Sequence, residues 1–114
     1  MQKEIAGYNI LTLLSIADGK IHPNEDLVIR NWLIQQFNFT KNLDEEVEML
    51  IKLKKRNYEN FLQHNMDAFF VDSNKEERNN LIQFAINIIK ADGKIVKGEN
   101  TLFDYLFSGW NDGE

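Results

Sequence analysis

A nine-residue pattern, A-D-G-K-I-x-x-x-E, occurs twice in this sequence, from Ala17 to Glu25 and again from Ala91 to Glu99. The second copy lies 74 residues after the first, Asp18 to Asp92. The flanks repeat in kind as well. Tyr8, Leu11, Leu14 and Ala17 fall on Ile82, Ala85, Ile88 and Ala91, while Val28, Ile29, Trp32 and Leu33 fall on Leu102, Phe103, Leu106 and Phe107. An apolar helix, a tight acidic turn and a second amphipathic helix therefore appear twice. Each copy has an apolar face it cannot bury alone, so the two must share a core.

Helical periodicity runs through the rest of the chain. Helix one is expected over about residues 3–17 and is apolar nearly all round, as a central helix would be. Gly19 is placed to end it with a positive φ, and Gly93 to end helix five in the same way. Pro23 suits the first turn of helix two, where its missing N–H is no loss. Helix two is expected to reach Phe37 and to bury Leu27, Val28, Trp32 and Leu33. After a connection with capping candidates at Thr40 and Asn42, helix three spans about 43–55, with Val47, Leu50, Ile51 and the stem of Lys54 on one face. Its acids lead and its bases trail, which complements the helix dipole. Helix four, about 58–71, carries Tyr58, Phe61, Leu62, Met66 and Phe69 as one stripe. Ser73 to Glu76 reads as a capping box for helix five. Helix five, to about Lys90, is a second buried helix. Helix six covers about 97–109. No strand-period segment appears.

The expected fold is a single all-α domain over residues 1–114, a bundle of about six helices. Repeat one covers about 3–37, the linking helices about 43–71, and repeat two about 74–110.

Composition limits the function classes. A net charge of −5 and a pI near 5.0 argue against wrapping a nucleic-acid backbone, which needs a basic surface. The absence of cysteine removes disulfides and thiolate metal sites and suits a cytoplasmic setting. The apolar run from Ile5 to Ala17 superficially resembles a signal peptide. Its counterpart at Leu81 to Ala91, where no signal can lie, argues for a structural helix instead. No segment reaches the roughly 18 apolar residues of a membrane span.

The acidic turns support two readings. In the first they only hold the hairpins: Asp18 and Asp92 accept from turn N–H groups, Ile21 and Ile95 plug the core, and Glu25 and Glu99 complement the following helix. In the second they bind a divalent cation. Asp18, Gly19, Ile21 and Glu25 match positions 5, 6, 8 and 12 of an EF-hand loop. Leu14 and Ile16, or Ile88 and Lys90, then occupy positions 1 and 3, so a complete EF-hand is rejected. Asp18, Glu25, Asp92 and Glu99 could still pool into one weak calcium or magnesium site. His22 reads as a capping residue and His64 as a surface one. There is no nucleophile–base–acid set, Gly-rich phosphate cradle or H-E-x-x-H, which argues against an enzyme and gives no catalytic or cofactor-binding residues.

Two A-D-G-K-I-x-x-x-E turns, each after an apolar helix, resemble the TerB-like family. That family includes the tellurite-resistance protein TerB and the amino-terminal domain of a membrane-anchored DnaJ-type co-chaperone. The resemblance spans Ile5 to Phe107. It implies an all-α bundle, suspected metal binding by residues matching Asp18, Glu25, Asp92 and Glu99, and a stress-response role through protein partners without established catalysis. Family members often add a helix beyond the sixth, whereas this sequence stops soon after it. Two functions are carried forward, a non-catalytic partner-binding module with an acidic metal site and a purely structural helical adaptor without a ligand; a third, an enzyme, is kept only because a carboxylate cluster could recruit a catalytic metal.

Overall fold

From Lys3 to Ser15 every residue is compatible with a helix, and ten consecutive residues, Ala6 to Ser15, are buried there. This helix, α1, is the axis of the fold in the computed structural model, which describes residues 2–16, 23–91 and 104–110. Around it stand α2 (Pro23–Phe37), α3 (Asp44–Lys52), α4 (Tyr58–Asp72) and α5 (Lys75–Ala91), with a single 3-10 turn at Lys55–Asn57 before α4. A further helix, α6, covers 104–110. Among the described residues there is no strand, and the protein is the all-α bundle its periodicity predicts. Gly19 and Gly93 lie outside the described residues.

The main packing partner of α1 is α4, followed by α2, with α5 and α3 completing the enclosure. Gly7 allows a close approach. A Cβ there would come within 3.3 Å of Phe69 Cε2 and 3.5 Å of Leu81 Cδ1, so its absence lets α4 and α5 close on α1. The buried face of α4 is the expected one, with Tyr58, Leu62, Met66 and Phe69 buried and Phe61 partly so. Trp110 of α6 stacks on Phe69 at 5.3 Å between ring centroids, which fixes α6 to α4.

Three local expectations are corrected. On α2 the buried face is Ile29, Trp32 and Leu33, whereas Leu27 and Val28 are 58% and 50% exposed. The face is rotated because Asp26 and Arg30 occupy the flank turned to α1, where Asp26 meets Tyr8. Helix α3 ends at Lys52 rather than near Lys55, because Leu53 turns to an extended conformation (φ −69°, ψ 130°) and packs half-buried against the core. Leu50 is buried there and Ile51 points outward, 68% exposed. The capping box of α5 is one residue later than expected. Asn74 Oδ1 accepts from the Glu77 N–H at 2.8 Å, and Glu77 Oε1 accepts from the Asn74 N–H at 3.0 Å. Asn is as good a cap as Ser and each has an acid three residues later, but the reciprocal pair that forms is Asn74 with Glu77.

Asn38 ends α2 in the left-handed region (φ 54°), its N–H bonded to the Ile34 carbonyl at 2.8 Å. The N-cap position of α3 falls to Leu43, and of the two capping candidates Asn42, one residue earlier, contributes a bond, its Oδ1 accepting from the Asp44 N–H at 2.7 Å.

Helix α5 does touch α1, but it is not a second central helix. Leu81, Ile82 and Ala85 are buried, while Gln83 and Asn87 face solvent. Leu14 is 2% exposed and its repeat partner Ile88 is only partly buried. Leu14→Ala should therefore cost about 2–5 kcal/mol and Ile88→Ala clearly less, measured by urea unfolding. Equal losses at the two positions would contradict this asymmetry.

Candidate functional site

Of the four carboxylates proposed for a cation, the described residues include Glu25. With Pro23 as the first residue of α2, Glu25 is the third, in the first turn with Asp26, where the helix dipole favours negative charge. Asp18, Asp92 and Glu99 lie outside the described residues, as does His22. Among the described residues no group of three or more His, Asp or Glu side chains is arranged to hold a metal ion. His64 is exposed on α4, beside an open depression of about 820 Å³ that Asp67 and Val71 also line.

Immediately after Glu25 begins a polar cluster that the sequence reading missed. The Tyr8 hydroxyl donates to Asp26 Oδ1 at 2.6 Å, and Arg30 Nε donates to Asp26 Oδ2 at 2.8 Å. The Arg30 guanidinium also lies 5.5 Å from the centre of the Tyr8 ring. Burial, followed by the hydrogen bond to Asp26 and that residue's negative charge, pushes the Tyr8 phenol up to about 12. The Asp26–Arg30 spacing of one helical turn was legible in the sequence; that Tyr8 would point at it was not, because Tyr8 reads as one of an apolar stripe.

A second ionic cluster ties the start of α1 to the α4–α5 junction. Lys3 Nζ pairs with Glu77 Oε2 at 2.8 Å, and the Lys3 backbone N–H donates to Asp72 Oδ2 at 3.3 Å. The hydrogen bond to Glu77 raises the Lys3 ammonium despite partial burial. Burial pushes the Glu77 carboxyl up, but the Lys3 bond, the Asn74 N–H and the Lys3 and Arg78 charges bring it below its ordinary value. Arg78 closes the same junction by donating to the Ser73 carbonyl at 2.8 Å and stacking 4.1 Å from the Phe70 ring centre.

Deeper inside, Asn9 Nδ2 donates to Asn65 Oδ1 at 3.0 Å, and Asn65 Nδ2 donates to the Phe61 carbonyl at 2.8 Å. Both asparagines are buried. This pair fixes α1 against α4 at one register, because sliding either helix would strand buried amides.

No protein-family model, no curated protein and no solved structure matches this sequence.

Chemically, the polar clusters hold helices together. Because the folded state keeps the Tyr8 proton more tightly than the unfolded chain, this contribution is fully present below pH 10.0 and is lost as pH rises towards about 12. A shift of that size corresponds to at most about 2–3 kcal/mol. Urea unfolding followed from neutral to strongly alkaline pH should show stability falling in that window, and falling less steeply in Tyr8→Phe. Identical pH profiles for the two proteins would remove Tyr8 as the cause.

Proposed function

We propose that the chain is a TerB-like, non-catalytic module that acts in stress response, in the cytoplasm, by binding a protein partner. In the same proposal Asp18, Glu25, Asp92 and Glu99 form a weak site for calcium or magnesium. The family assignment rests on the duplicated A-D-G-K-I-x-x-x-E turns, and the all-α bundle is compatible with it.

The observation that carries the partner reading is apolar exposure on the outer helices. Leu27, Val28 and Ile34 on α2 are 58%, 50% and 44% exposed, and Ile51 on α3 is 68% exposed. Single exposed apolar side chains are ordinary, but three on the outer side of one amphipathic helix offer a partner a ready apolar surface. No helix among the described residues is long and apolar enough to cross a membrane, so membrane insertion by these helices would not account for that exposure. A photo-crosslinking residue at Leu27 should give a discrete adduct with another protein in the source cells, absent when it is placed at Gln83 on α5. Indistinguishable adducts from both positions would defeat the reading.

The structural adaptor remains the second reading, and Asp26 and Glu77 favour it, since each joins two helices. Metal separates the two. If four carboxylates share an ion, calcium or magnesium raises the melting temperature by mass action. The expected outcome is a higher melting temperature in millimolar calcium or magnesium than in EDTA, lost in the double variant Asp18→Asn with Asp92→Asn. Identical melts under all conditions leave the turns as caps.

A further inference from the structure

Between the C-terminal half of α2 and the connection at 39–43 lies a groove of about 210 Å³. Its floor is apolar: Leu33, Phe39 and Leu43 are each buried, and Ile34, 44% exposed, forms one lip. The charged residues that line it are Arg30 and Lys41, both cationic, in a chain of net charge −5. We propose that this groove is a docking site for a partner segment in which an apolar side chain stands beside a carboxylate. The proposal rests on the partner-binding reading above and gives it a place and a chemistry.

The size admits one aliphatic side chain of the leucine class rather than a cofactor, since ligand pockets run to roughly 300–1,000 Å³. The charge selects what accompanies it. Arg30 is already positioned: Asp26 holds it through Nε at 2.8 Å, and the guanidinium rests on the Tyr8 ring. A guanidinium fixed by its Nε edge presents its terminal nitrogens as a planar fork, the geometry that receives a carboxylate bidentately. Holding it beforehand lowers the ordering cost of binding. Because Asp26 offsets the charge of Arg30, the excess positive charge is that of exposed Lys41, which also lines the groove. The cradle itself is stable against such use, since Asn38 closes α2 in its left-handed conformation and Asn42 bonds the Asp44 N–H at the start of α3, on either side of Phe39.

The test uses the full chain, labelled with ¹⁵N, and a capped pentapeptide whose central leucine is flanked by glutamates. Amide shifts should saturate and be confined to residues around 30–34 and 39–43. Replacing the glutamates by glutamines, or using Lys41→Glu, should weaken binding about tenfold, the effect of losing one charge-assisted contact. Ile34→Ser, at an exposed position, should weaken it without lowering the melting temperature. An absence of shifts at millimolar peptide overturns the proposal, as does equal binding of the glutamine peptide. Shifts centred on another surface overturn the groove while leaving the partner-binding reading intact. Conversely, groove binding with no position-dependent crosslink from Leu27 would retain the groove and remove the reading on which it now rests.

Discussion

Helix α1 has no outward side over ten consecutive residues, and the rest of the molecule is arranged to make that possible. A helix enclosed on all sides gains from every apolar residue it carries. Ile10, Leu11, Leu13 and Leu14 are essentially inaccessible, and each contributes about 1.5–3 kcal/mol of burial before conformational entropy is set against it. The same enclosure leaves its polar side chains no water. Tyr8 is answered by Asp26, Asn9 by Asn65, and Ser15 by the carbonyl of Leu11 in its own helix at 3.0 Å. The hydrogen bonds of Tyr8 and Asn9 recruit α2 and α4, so the enclosure that hides apolar surface also dictates which neighbours α1 must have.

The outer helices are then joined to each other through rings. Phe84 of α5 stacks on Trp32 of α2 at 4.8 Å, Trp32 meets Phe37 edge-on at 5.8 Å, and Phe37 meets Phe69 of α4 at 6.3 Å. Trp110 of α6 continues the series beyond Phe69, and Lys3 of α1 sits 5.3 Å from the Phe37 centre. Each such pair adds only about 0.5–1.5 kcal/mol beyond its area, but the series passes through four helices and so couples their positions. The exposed parts of the ionic clusters add little energy by comparison. Their effect is on direction, as where Lys3 brings the start of α1 to the α4–α5 junction.

The central helix, the starts of α2 and α4, and the apolar stripe of α4 were all legible in the sequence, because long periodic segments and Pro23 leave few alternatives. The faces of α2 and α3 were not. Apolar periodicity alone cannot tell Val28 from Ile29, and the choice was made by Asp26 and Arg30, whose value depends on a tyrosine on another helix. The box at Asn74 and Glu77 illustrates the same limit at short range. Two acids follow two capping residues in sequence there, so the reciprocal pair can be drawn in two registers, and the packing of Arg78 on Phe70 accompanies the later one. As for the candidate site, Glu25 was correctly placed in the first turn of α2. The relation between the two acidic turns is a long-range one that spacing does not encode.

The two halves share a motif but not its supports. Adding the repeat offset to Tyr8, Asp26 and Arg30 gives Ile82, Asn100 and Asp104, so the equivalent positions of the second half carry neither the phenol nor the guanidinium. The apolar positions diverge too: Trp32 and its counterpart Leu106 are both buried, whereas Leu33 is buried and its counterpart Phe107 is 47% exposed. A duplicated turn needs only the turn to be preserved. The clamp that fixes α2 against α1 belongs to the first half, and with it the arginine that lines the groove. Asp104 at the equivalent position is exposed and of opposite charge, so a carboxylate that the first half attracts would be repelled at that position of the second. The internal repeat is thus one of sequence motif, while the residues carried by one copy make its two halves chemically distinct.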